Sequence, residues 1–446
     1  MVCQLRQTCL FLWRSSSIKH YGKLITDRTI LSDEVIKLRS KGIVRKDGKW
    51  RCYQCDTAEP KHFYEYFSKV LGQTIVYCRN CISLGRMDNI RDIYVTESRQ
   101  QSSGGKYNLS FELSEQQLFA STKIVNAIQG YRSLILYAVT GAGKTEMTFE
   151  GIKFARKRGD NIAIVSPRVD VVLEVSSRMK EAFQEESIDI LYQGQRQMYN
   201  GHFIIATIHQ LYRFKRHFDV IIVDEVDAFP LSMDPSLMHA ITAASKKRYS
   251  HVYMTATPPR KLLRQMRDDT LVTLPARFHR HALPLPKFKY YKIQPYKIQY
   301  MLLNIFMHQI QSKRYTLVFF NHIQLMKQMY AHYKKKIASL TYVHSEDSLR
   351  FEKIQNLRHG KYHIIFTTTI LERGFTMANL DVIVMHSHMF DSSALIQIAG
   401  RVGRKAQAPS GLVLFFHEGI TLNMLKARRN IRKMNNLARY KGWIDD

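Results

Sequence analysis

The sequence predicts an α/β protein with two lobes built on parallel sheets, preceded by a small cysteine-bearing domain. Three observations support this fold class. Short apolar runs alternate with longer mixed segments in two series, a glycine-rich loop follows the first run, and two Cys-x-x-Cys pairs lie upstream. Short runs rich in Val, Ile, Leu and Phe are typical of buried parallel strands with helices between them. Two such series predict two α/β lobes.

The candidate strands and the changes in composition divide the chain into segments. A polar, Gly/Ser-rich stretch before the first series is typical of a linker. First-lobe strands are predicted at 134–139, 162–165, 203–206, 220–223 and 252–254, and second-lobe strands at 317–320, 340–343, 364–366, 382–385 and 412–416. The segments are a basic N-terminal segment, 1–50; a cysteine module, 51–97; a linker, 98–108; a first lobe, 109–275; a second lobe, 276–425; and a basic C-terminal segment, 426–446.

Charge gives the first indication of a partner. The chain of 446 residues carries 67 Lys and Arg against 37 Asp and Glu, a net charge of +30. Such an excess attracts a polyanion, usually nucleic acid, with an anionic membrane surface or a merely solvated basic surface as the alternatives. No apolar run approaches the roughly 18 residues of a membrane-spanning helix, and no signal peptide is evident. The sequence therefore predicts a cytoplasmic protein.

A glycine-rich loop follows the first candidate strand. Residues 138–145 are AVTGAGKT, and helix-like sequence comes next. In this context backbone N–H groups close around phosphate oxygens at a helix N-terminus. Lys144 is predicted to reach the β- and γ-phosphates of ATP, and Thr145 to ligate Mg²⁺. A chance glycine-rich turn is the alternative. The rest of the cradle is formed by Thr140, Gly141, Ala142 and Gly143.

A second motif is an apolar strand that ends in two adjacent carboxylates. Asp224 and Glu225 follow residues 220–223, at the strand end where ligands bind in open parallel sheets. Asp224 is predicted to hold Mg²⁺ through water, and Glu225 to orient and deprotonate the attacking water. A solvated acidic loop is the alternative. For Asp227, nucleic-acid-facing, structural and coupling roles are all open.

Later residues continue in an order that resembles superfamily 2 helicases and translocases, a class with two RecA-like lobes. Thr255 and Thr257 flank the alanine of a Thr-Ala-Thr stretch, residues 368–374 are TTILERG, and residues 397–404 are QIAGRVGR. The resemblance implies that Thr255, Thr257 and Gln397 couple hydrolysis to nucleic acid, and that Gly374 contributes to the nucleotide site. Residues 375–376 depart from the pattern, because many relatives place an acid there.

Arginines of the second lobe are predicted to complete the ATP site. An arginine entering from another element stabilises the charge on the γ-phosphate oxygens and can be worth about 10³–10⁵ in rate. Arg401 and Arg404 are the candidates, and the resemblance favours Arg404 as the direct contact. Because these arginines lie on the second lobe, catalysis is predicted to depend on lobe closure, which couples the chemistry to movement.

Upstream of the phosphate loop, residues 113–117 (LSEQQ) resemble the segment that contacts adenine in several of these enzymes. A side-chain amide can pair with both a donor and an acceptor on the adenine edge, and Gln117 is the candidate. Ser114 can equally be the N-cap of an ordinary helix.

Two Cys-x-x-Cys pairs, Cys52/Cys55 and Cys78/Cys81, predict a zinc site. Four thiolates at this spacing give closed tetrahedral coordination, so the zinc is expected to be structural. Disulfides are the alternative, disfavoured in a reducing compartment. Neighbouring basic and aromatic residues suit single-stranded nucleic acid, while a stapled domain docked on the first lobe is the plainer interpretation. The remaining cysteines, Cys3 and Cys9, are predicted to be free thiols.

The cysteine module before a superfamily 2 core, together with DEVDAFP at 224–230, resembles the ComFA family of competence ATPases. The resemblance implies an ATP-dependent single-stranded DNA translocase or helicase that drives DNA uptake during natural transformation. It also implies a peripheral position at the inner face of the membrane, beside the uptake channel, and a ComFC-type partner. A homo-oligomer is left open.

Nucleic-acid contacts are expected from the loops after the strands. These loops lie where the family's strand-tracking motifs are found, and contacts to backbone phosphates give a motor no sequence selectivity. The basic stretch 426–441 is either a DNA- or lipid-facing helix or a solvated face. The candidates are Arg168, Thr207 and His209 in the first lobe and Asn321 and Thr368 in the second.

Two other functions stay open from the sequence. One is another superfamily 2 DNA or RNA helicase, of a replication-restart or repair type. The other is a zinc-dependent nucleic-acid-binding scaffold whose nucleotide site is only a conformational switch. The presence of Glu225, Arg401 and Arg404 argues against the scaffold, since a switch needs no catalytic base or arginine.

Overall fold

The computed structural model describes residues 18–32, 34–266, 270–372 and 375–445. In chain order these residues form a small β domain and two lobes with parallel sheets. The predicted fold class is confirmed. The predicted free thiols Cys3 and Cys9 and the motif residues Arg373 and Gly374 lie outside the described residues.

The small domain is built from short antiparallel strands. Strands β1 and β2 both pair with β7, while β3–β4 and β5–β6 are hairpins. The predicted boundary at residue 50 falls inside the β3–β4 hairpin, so strand pairing joins residues 24–46 to the cysteine module. The strands are β1 (Leu24–Ile25), β2 (Ile36–Lys41), β3 (Ile43–Lys46), β4 (Lys49–Cys52), β5 (Phe63–Ser68), β6 (Gln73–Cys78) and β7 (Asp92–Thr96).

The small domain docks on the first lobe. Its cysteines share a buried apolar cluster with Phe214 and Leu237 of that lobe. At the edge of this cluster, Lys215 Nζ donates to the carbonyl of Gln54 at 2.9 Å. The stretch 98–108 that follows is held along the lobe surface, for example by the Asn108 amide, which donates to the Ala182 carbonyl at 2.9 Å. The predicted linker is thus an extended, packed segment.

The first lobe has one parallel sheet with strand order β10-β11-β9-β12-β13-β8-β14. Its central strands are buried on both faces, as their continuous apolar runs predict. The elements are α1 (Glu115–Gln129), β8 (Leu134–Ala138), α2 (Phe149–Arg158), β9 (Ile162–Ser166), α3 (Val169–Ala182), β10 (Ile188–Leu191), β11 (Phe203–Thr207), β12 (Phe218–Asp224), α4 (Pro235–Ala244), β13 (Ser245–Thr255), α5 (Arg260–Gln265) and β14 (Leu271–Leu274).

The second lobe repeats this architecture with strand order β15-β20-β19-β16-β18-β17, again all parallel. The predicted boundary at residue 425 falls inside its last helix. The elements are β15 (Lys287–Tyr290), α6 (Tyr300–Gln311), β16 (Tyr315–Phe319), α7 (Ile323–Tyr333), β17 (Leu340–Val343), α8 (Arg350–Arg358), β18 (Ile364–Thr367), β19 (Leu380–Val384), α9 (Ser392–Ala399), β20 (Val413–His417) and α10 (Leu422–Tyr440).

All ten apolar runs form strands, and strands β10, β14 and β15 are additional. In β10 the apolar run is broken by Asp189, a buried side chain whose carboxylate accepts from the backbone amides of Met198, Tyr199 and Gly201. The other two strands lie at sheet edges, where one-sided burial leaves a weaker apolar signal.

Helix α10 and the residues after it join the second lobe to the first. One face of α10 is buried, and Asn430 Nδ2 donates to the hydroxyl of Tyr137 on β8 at 2.8 Å. Beyond the helix, the Trp443 ring lies 6.1 Å from the Phe119 ring of α1. The basic residues Lys426, Arg429 and Arg432 lie on the exposed face. Within the described ranges, no helix combines the length and the apolar character needed to cross a membrane.

We predict that Trp443→Ala destabilises the protein by about 3 kcal/mol, because a buried aromatic ring is lost from the contact between the lobes. Trp443 is 8% exposed, whereas Tyr440, three residues earlier, is 89% exposed. Tyr440→Ala is therefore the matched control and is expected to change stability by less than about 0.5 kcal/mol. Urea unfolding followed by circular dichroism measures both. Equal effects would show that the Trp443 ring contributes no packing energy.

Candidate functional site

The phosphate loop leaves the carboxyl end of β8 and leads through a short 3-10 turn, Glu146–Thr148, into α2. Gly141 and Gly143 adopt left-handed backbone angles, with φ of 84° and 76°. These angles favour glycine, and a Cβ atom at Gly143 would also lie 2.3 Å from Nε2 of Gln117 and displace that amide. The loop thus has the open backbone that a phosphate cradle requires.

Gln117 lies against the outside of this loop. Its Nε2 donates to the carbonyl of Ala142 at 3.1 Å, and its Oε1 accepts from the backbone amide of Ser114 at 2.9 Å. Ser114 is the N-cap of α1, the alternative that the sequence left open. Both ends of the Gln117 amide are therefore bonded within the protein, although the side chain also lines the cleft beside the loop.

The two carboxylates stand where β12 ends. Asp224 is buried, and Glu225 turns away with a left-handed φ of 55° while its amide donates to Asp224 Oδ1 at 2.9 Å. Burial raises the pKa of Asp224 above its usual range, and nearby Lys144 opposes this shift. Burial lowers the pKa of Lys144, with Asp224 as the main opposing charge. A carboxylate and the Thr145 hydroxyl in one cleft suit Mg²⁺, which prefers oxygen ligands.

A cavity of about 580 Å³ separates the two lobes and is lined from both sides. This volume lies within the range of nucleotide-sized ligand pockets. Phe111 and Phe278 form part of its wall. The sequence does not reveal this role, because an aromatic residue in a loop carries no motif. Ala142 lies buried below the surface of the loop. Candidates in the lining are Gln117, Thr140, Gly141, Gly143, Lys144, Thr145, Asp224, Glu225, Thr255, Gln397, Arg401 and Arg404.

The two arginines have different surroundings. Arg401 is buried and donates to the carbonyl oxygens of Glu372 and Phe375, with 2.8 Å from its Nε to Glu372 O. It thereby holds the loop after β18 against α9. Arg404 Nε donates to the carbonyl of Gly400 at 2.9 Å, and burial lowers the pKa of Arg404 to about 10. Glu225 is among the charges that Arg404 faces across the cleft.

Two glycines shape the arginine-bearing turn, and one of them meets the first lobe. A Cβ at Gly400 would lie 1.9 Å from Oγ1 and 2.7 Å from Cβ of Thr140 in the phosphate loop. Gly403 has a φ of 69°, and a Cβ there would lie 2.1 Å from the carbonyl oxygen of Pro409. The close approach of the lobes therefore requires glycine at Gly400, whereas Gly403 is required by the conformation of the turn within the second lobe.

Asp227 links the acidic strand end to the second lobe. Its carboxylate accepts hydrogen bonds from the hydroxyls of Thr255, at 2.6 Å, and Thr257. The Thr257 hydroxyl also lies 2.7 Å from that of Ser393 on α9, the helix that carries Gln397. Among the roles open to Asp227, this geometry favours coupling. Ser393 carries no sequence signal, because its partners are more than a hundred residues away.

The nucleic-acid candidates lie at the carboxyl edges of the two sheets. Thr207 ends β11 and is buried, and His209 follows in the 3-10 segment Ile208–Arg213, where burial lowers its pKa. Asn321 and Thr368 follow β16 and β18 and are partly exposed. The 3-10 segment also shares a buried apolar cluster with the cysteines of the small domain.

Arg168 marks the point where the two edges meet. Its Nη2 donates to the carbonyl of Ile370 at 3.2 Å, and Nη1 lies 3.8 Å from the Glu372 carboxylate, both on the second lobe. Its side chain is therefore bonded across the cleft in this closed arrangement, and is not turned outward from the first lobe alone.

The four cysteines of the small domain converge. Their sulfur atoms all lie within 4.8 Å of one another and are buried, with 3.7 Å between Cys52 and Cys81 and between Cys55 and Cys78. A tetrahedron with Zn–S bonds of about 2.3 Å has edges of about 3.8 Å. The donor set and its spacing therefore fit zinc.

Comparisons with known proteins agree with this geometry. Family models match for the ComFA N-terminal domain over residues 14–95, the type III restriction enzyme res subunit over 110–260 and the helicase conserved C-terminal domain over 297–406. Competence protein ComFA of Bacillus subtilis strain 168 is 36% identical over 435 residues, covering 93% of this chain and 94% of the relative. The chain belongs to the ComFA family.

The Streptococcus pneumoniae ComFA protein is 30% identical, covering 95% of this chain and 99% of that relative. The structure of S. cerevisiae Dbp5 bound to RNA and ADP BeF3 has a TM-score of 0.53 at 14% identity, covering 72% of this chain and 91% of that one. This likeness confirms the helicase fold. The chain is thus a competence-associated ATPase of the superfamily 2 helicase type, and the predicted resemblance is confirmed.

We predict that Gly400→Ala lowers the ATPase rate by about 100-fold, because the added methyl group pushes the arginine turn away from the phosphate loop. Binding of a fluorescent ATP analogue to the first lobe is expected to persist. Gly419→Ala is the matched control, since a Cβ there would meet no atom within 4 Å, and it should behave as wild type. A Gly400→Ala enzyme with full turnover would contradict the close lobe contact.

We predict about one zinc ion per chain in the purified protein, lost in Cys52→Ser because three thiolates no longer close the tetrahedron. Elemental analysis by mass spectrometry measures the ratio. Cys9→Ser, at a cysteine outside the two pairs, is the control and should retain the metal. A folded wild-type protein without zinc would show that the cysteine cluster serves another purpose.

Proposed function

We propose that this protein is an ATP-driven translocase on single-stranded DNA that moves incoming DNA during natural transformation. The observation that carries the proposal is the division of the ATP site between lobes. Lys144 and Asp224 line one wall and Arg404 lines the other, so a complete site exists only when the lobes are closed. A cycle of closing and opening is what a motor needs and a static scaffold does not.

The residues of the cleft have complementary chemical tasks in ATP hydrolysis. Lys144 and the amides of the phosphate loop bind the β- and γ-phosphate oxygens. Thr145 and Asp224, the latter through water, would hold Mg²⁺, which when bound neutralises charge on these oxygens. Glu225 accepts the proton of the attacking water. Arg404 stabilises the charge that develops on the γ-phosphate, while Arg401 keeps the surrounding loops in place.

Movement is coupled to hydrolysis through the contacts that cross the cleft. Asp227 joins Thr255 and Thr257 to Ser393 on the second lobe, and Arg168 joins the carboxyl edges. When the γ-phosphate leaves, these contacts loosen together and the spacing of the two edges changes. We propose that the edges hold backbone phosphates of the DNA at the candidate positions Arg168, Thr207, His209, Asn321 and Thr368.

The choice of DNA rests on the family. The curated relatives are competence proteins, and the net charge of +30 suits a polyanion without identifying it. The likeness to an RNA-bound neighbour is at 14% identity and concerns the fold alone. The same proposal places the protein peripherally at the inner membrane face, with a ComFC-type partner and the uptake channel, and includes self-association. It also places the small domain, stabilised by zinc, beside the DNA.

We predict that single-stranded DNA stimulates ATP hydrolysis more than RNA or duplex DNA does. Lys144→Ala should lower the stimulated rate at least about 100-fold, because the phosphates lose their principal charged contact. Phosphate release measured with oligo(dT), oligo(U) and a hairpin duplex decides this. The control is Glu225→Gln, which should bind ATP but not turn it over.

The outcomes of this assay separate the competing functions. Greater stimulation by RNA would point to an RNA helicase and contradict the DNA-uptake function. Tight DNA binding without stimulated turnover would contradict the motor and favour a nucleic-acid-binding scaffold.

A further inference from the structure

Arg277 lies in the segment between the lobes, three residues after β14 ends. Its side chain is fully buried, with 0% of its surface exposed. No sequence motif marks it, and it is outside the lining of the nucleotide cleft. A buried guanidinium is rare and is normally held by specific acceptors.

The acceptors of Arg277 come from both halves of the ATP site. Its Nε donates to the carbonyl of Thr140 in the phosphate loop at 3.2 Å. Its Nη1 donates to Gly403 O at 2.6 Å and its Nη2 to Gly400 O at 3.2 Å, both in the arginine-bearing turn of the second lobe. The guanidinium group of Arg277 therefore spans the junction of the lobes. Its planar set of N–H donors with fixed directions suits it to this contact.

The contact with Gly400 connects Arg277 directly to the catalytic arginine. The Gly400 carbonyl oxygen accepts from Arg277 Nη2 and also from Arg404 Nε, at 2.9 Å. Gly403 O is shared in a similar way with His279, whose Nε2 lies 2.9 Å away. The position of the Arg404 side chain is thus tied, through one carbonyl oxygen, to the group that also holds the phosphate loop.

The surroundings of Arg277 make this arrangement depend on closure. Within the described part of the chain, its hydrogen-bond acceptors are backbone carbonyl oxygens, and burial together with nearby Arg404 lowers its pKa to about 9. Opening the lobes removes two of the three acceptors. A buried charge is costly without its full set of partners, so the guanidinium favours the one geometry in which all three carbonyls converge.

We propose that Arg277 is a positioning residue that sets Arg404 against the phosphate loop when the lobes close. This inference rests on the proposed ATP hydrolysis at the cleft. Arg277 acts on the transition state only through Arg404, so its loss should reduce kcat while leaving ground-state ATP binding by Lys144 and the loop largely intact.

The test compares Arg277→Met and Arg277→Lys with wild type in steady-state ATPase assays with oligo(dT). For Arg277→Met we expect kcat per folded site to fall by about 10- to 100-fold, with the KM for ATP within about threefold of wild type. Arg277→Lys keeps the charge but cannot span three acceptors from one plane, so its kcat should be intermediate.

Arg280→Met is the matched control. Arg280 lies three residues further along the same segment, is partly exposed, pairs with Asp445 at 2.8 Å and donates to the Gly442 carbonyl at 2.9 Å. It should retain wild-type kcat and KM. Thermal unfolding and titration of nucleotide-binding sites establish the folded fraction of every variant, since a purely structural residue would change that fraction and not kcat per site.

A kcat for Arg277→Met within about twofold of wild type, or an equal loss in Arg280→Met, would overturn the inference. If Arg277→Met does not fold, Arg277→Lys decides the question, and a wild-type kcat there overturns it equally. The wild-type rate in the same series reports on the proposed function. If the wild type shows full DNA-stimulated turnover and substitution of Arg277 does not change kcat, the positioning role is contradicted while the proposed motor function is not.

Discussion

The structure depends on one constraint, that the backbone of the second lobe and a side chain of the first lobe meet within contact distance at the ATP site. Gly400 of the second lobe abuts Thr140 of the phosphate loop so closely that no Cβ can stand between them. Everything catalytic is arranged around this point. Lys144 and the acids converge from one sheet and Arg404 from the other. The lobes are held on either side by a hydrogen bond from Ser393 to Asp227 and by one from Arg168 to Ile370. The cleft lined by Lys144, the acids and Arg404 together therefore exists only in this relative position of the lobes.

Local patterns allowed much of the fold and site to be predicted. Buried parallel strands appear as continuous apolar runs, and the phosphate loop, the acidic strand end and the cysteine pairs depend on residues close in sequence, so each was recognisable. The features that could not be predicted from the sequence depend mostly on contacts between residues far apart in the chain. Ser393 and Arg277 act through partners more than a hundred residues distant, and the pairing of β1 and β2 with β7 spans most of the small domain.

Other departures have local causes that compete with the predicted role. Gln117 caps a helix and holds the phosphate loop, so an amide that matches a base-reading pattern is bonded within the protein. Strand β10 contains Asp189, whose buried carboxylate binds backbone amides and interrupts the apolar signal. In both cases the polar side chain satisfies backbone groups that would otherwise be buried without partners.

The attachment of the C-terminal residues to the first lobe has a mechanical consequence. Besides the hydrogen bonds of Asp227 and Arg168 across the cleft, the lobes are connected by the covalent segment through Arg277 and by α10 and Trp443, which reach back to Tyr137 and Phe119. Two separate anchor points define an axis. While both anchors hold, the lobes cannot separate by translation, and the motion left to them is a rotation about that axis. The motion that these anchors permit is thus measured as an angle, and parts of the lobes farther from the axis move farther than parts close to it.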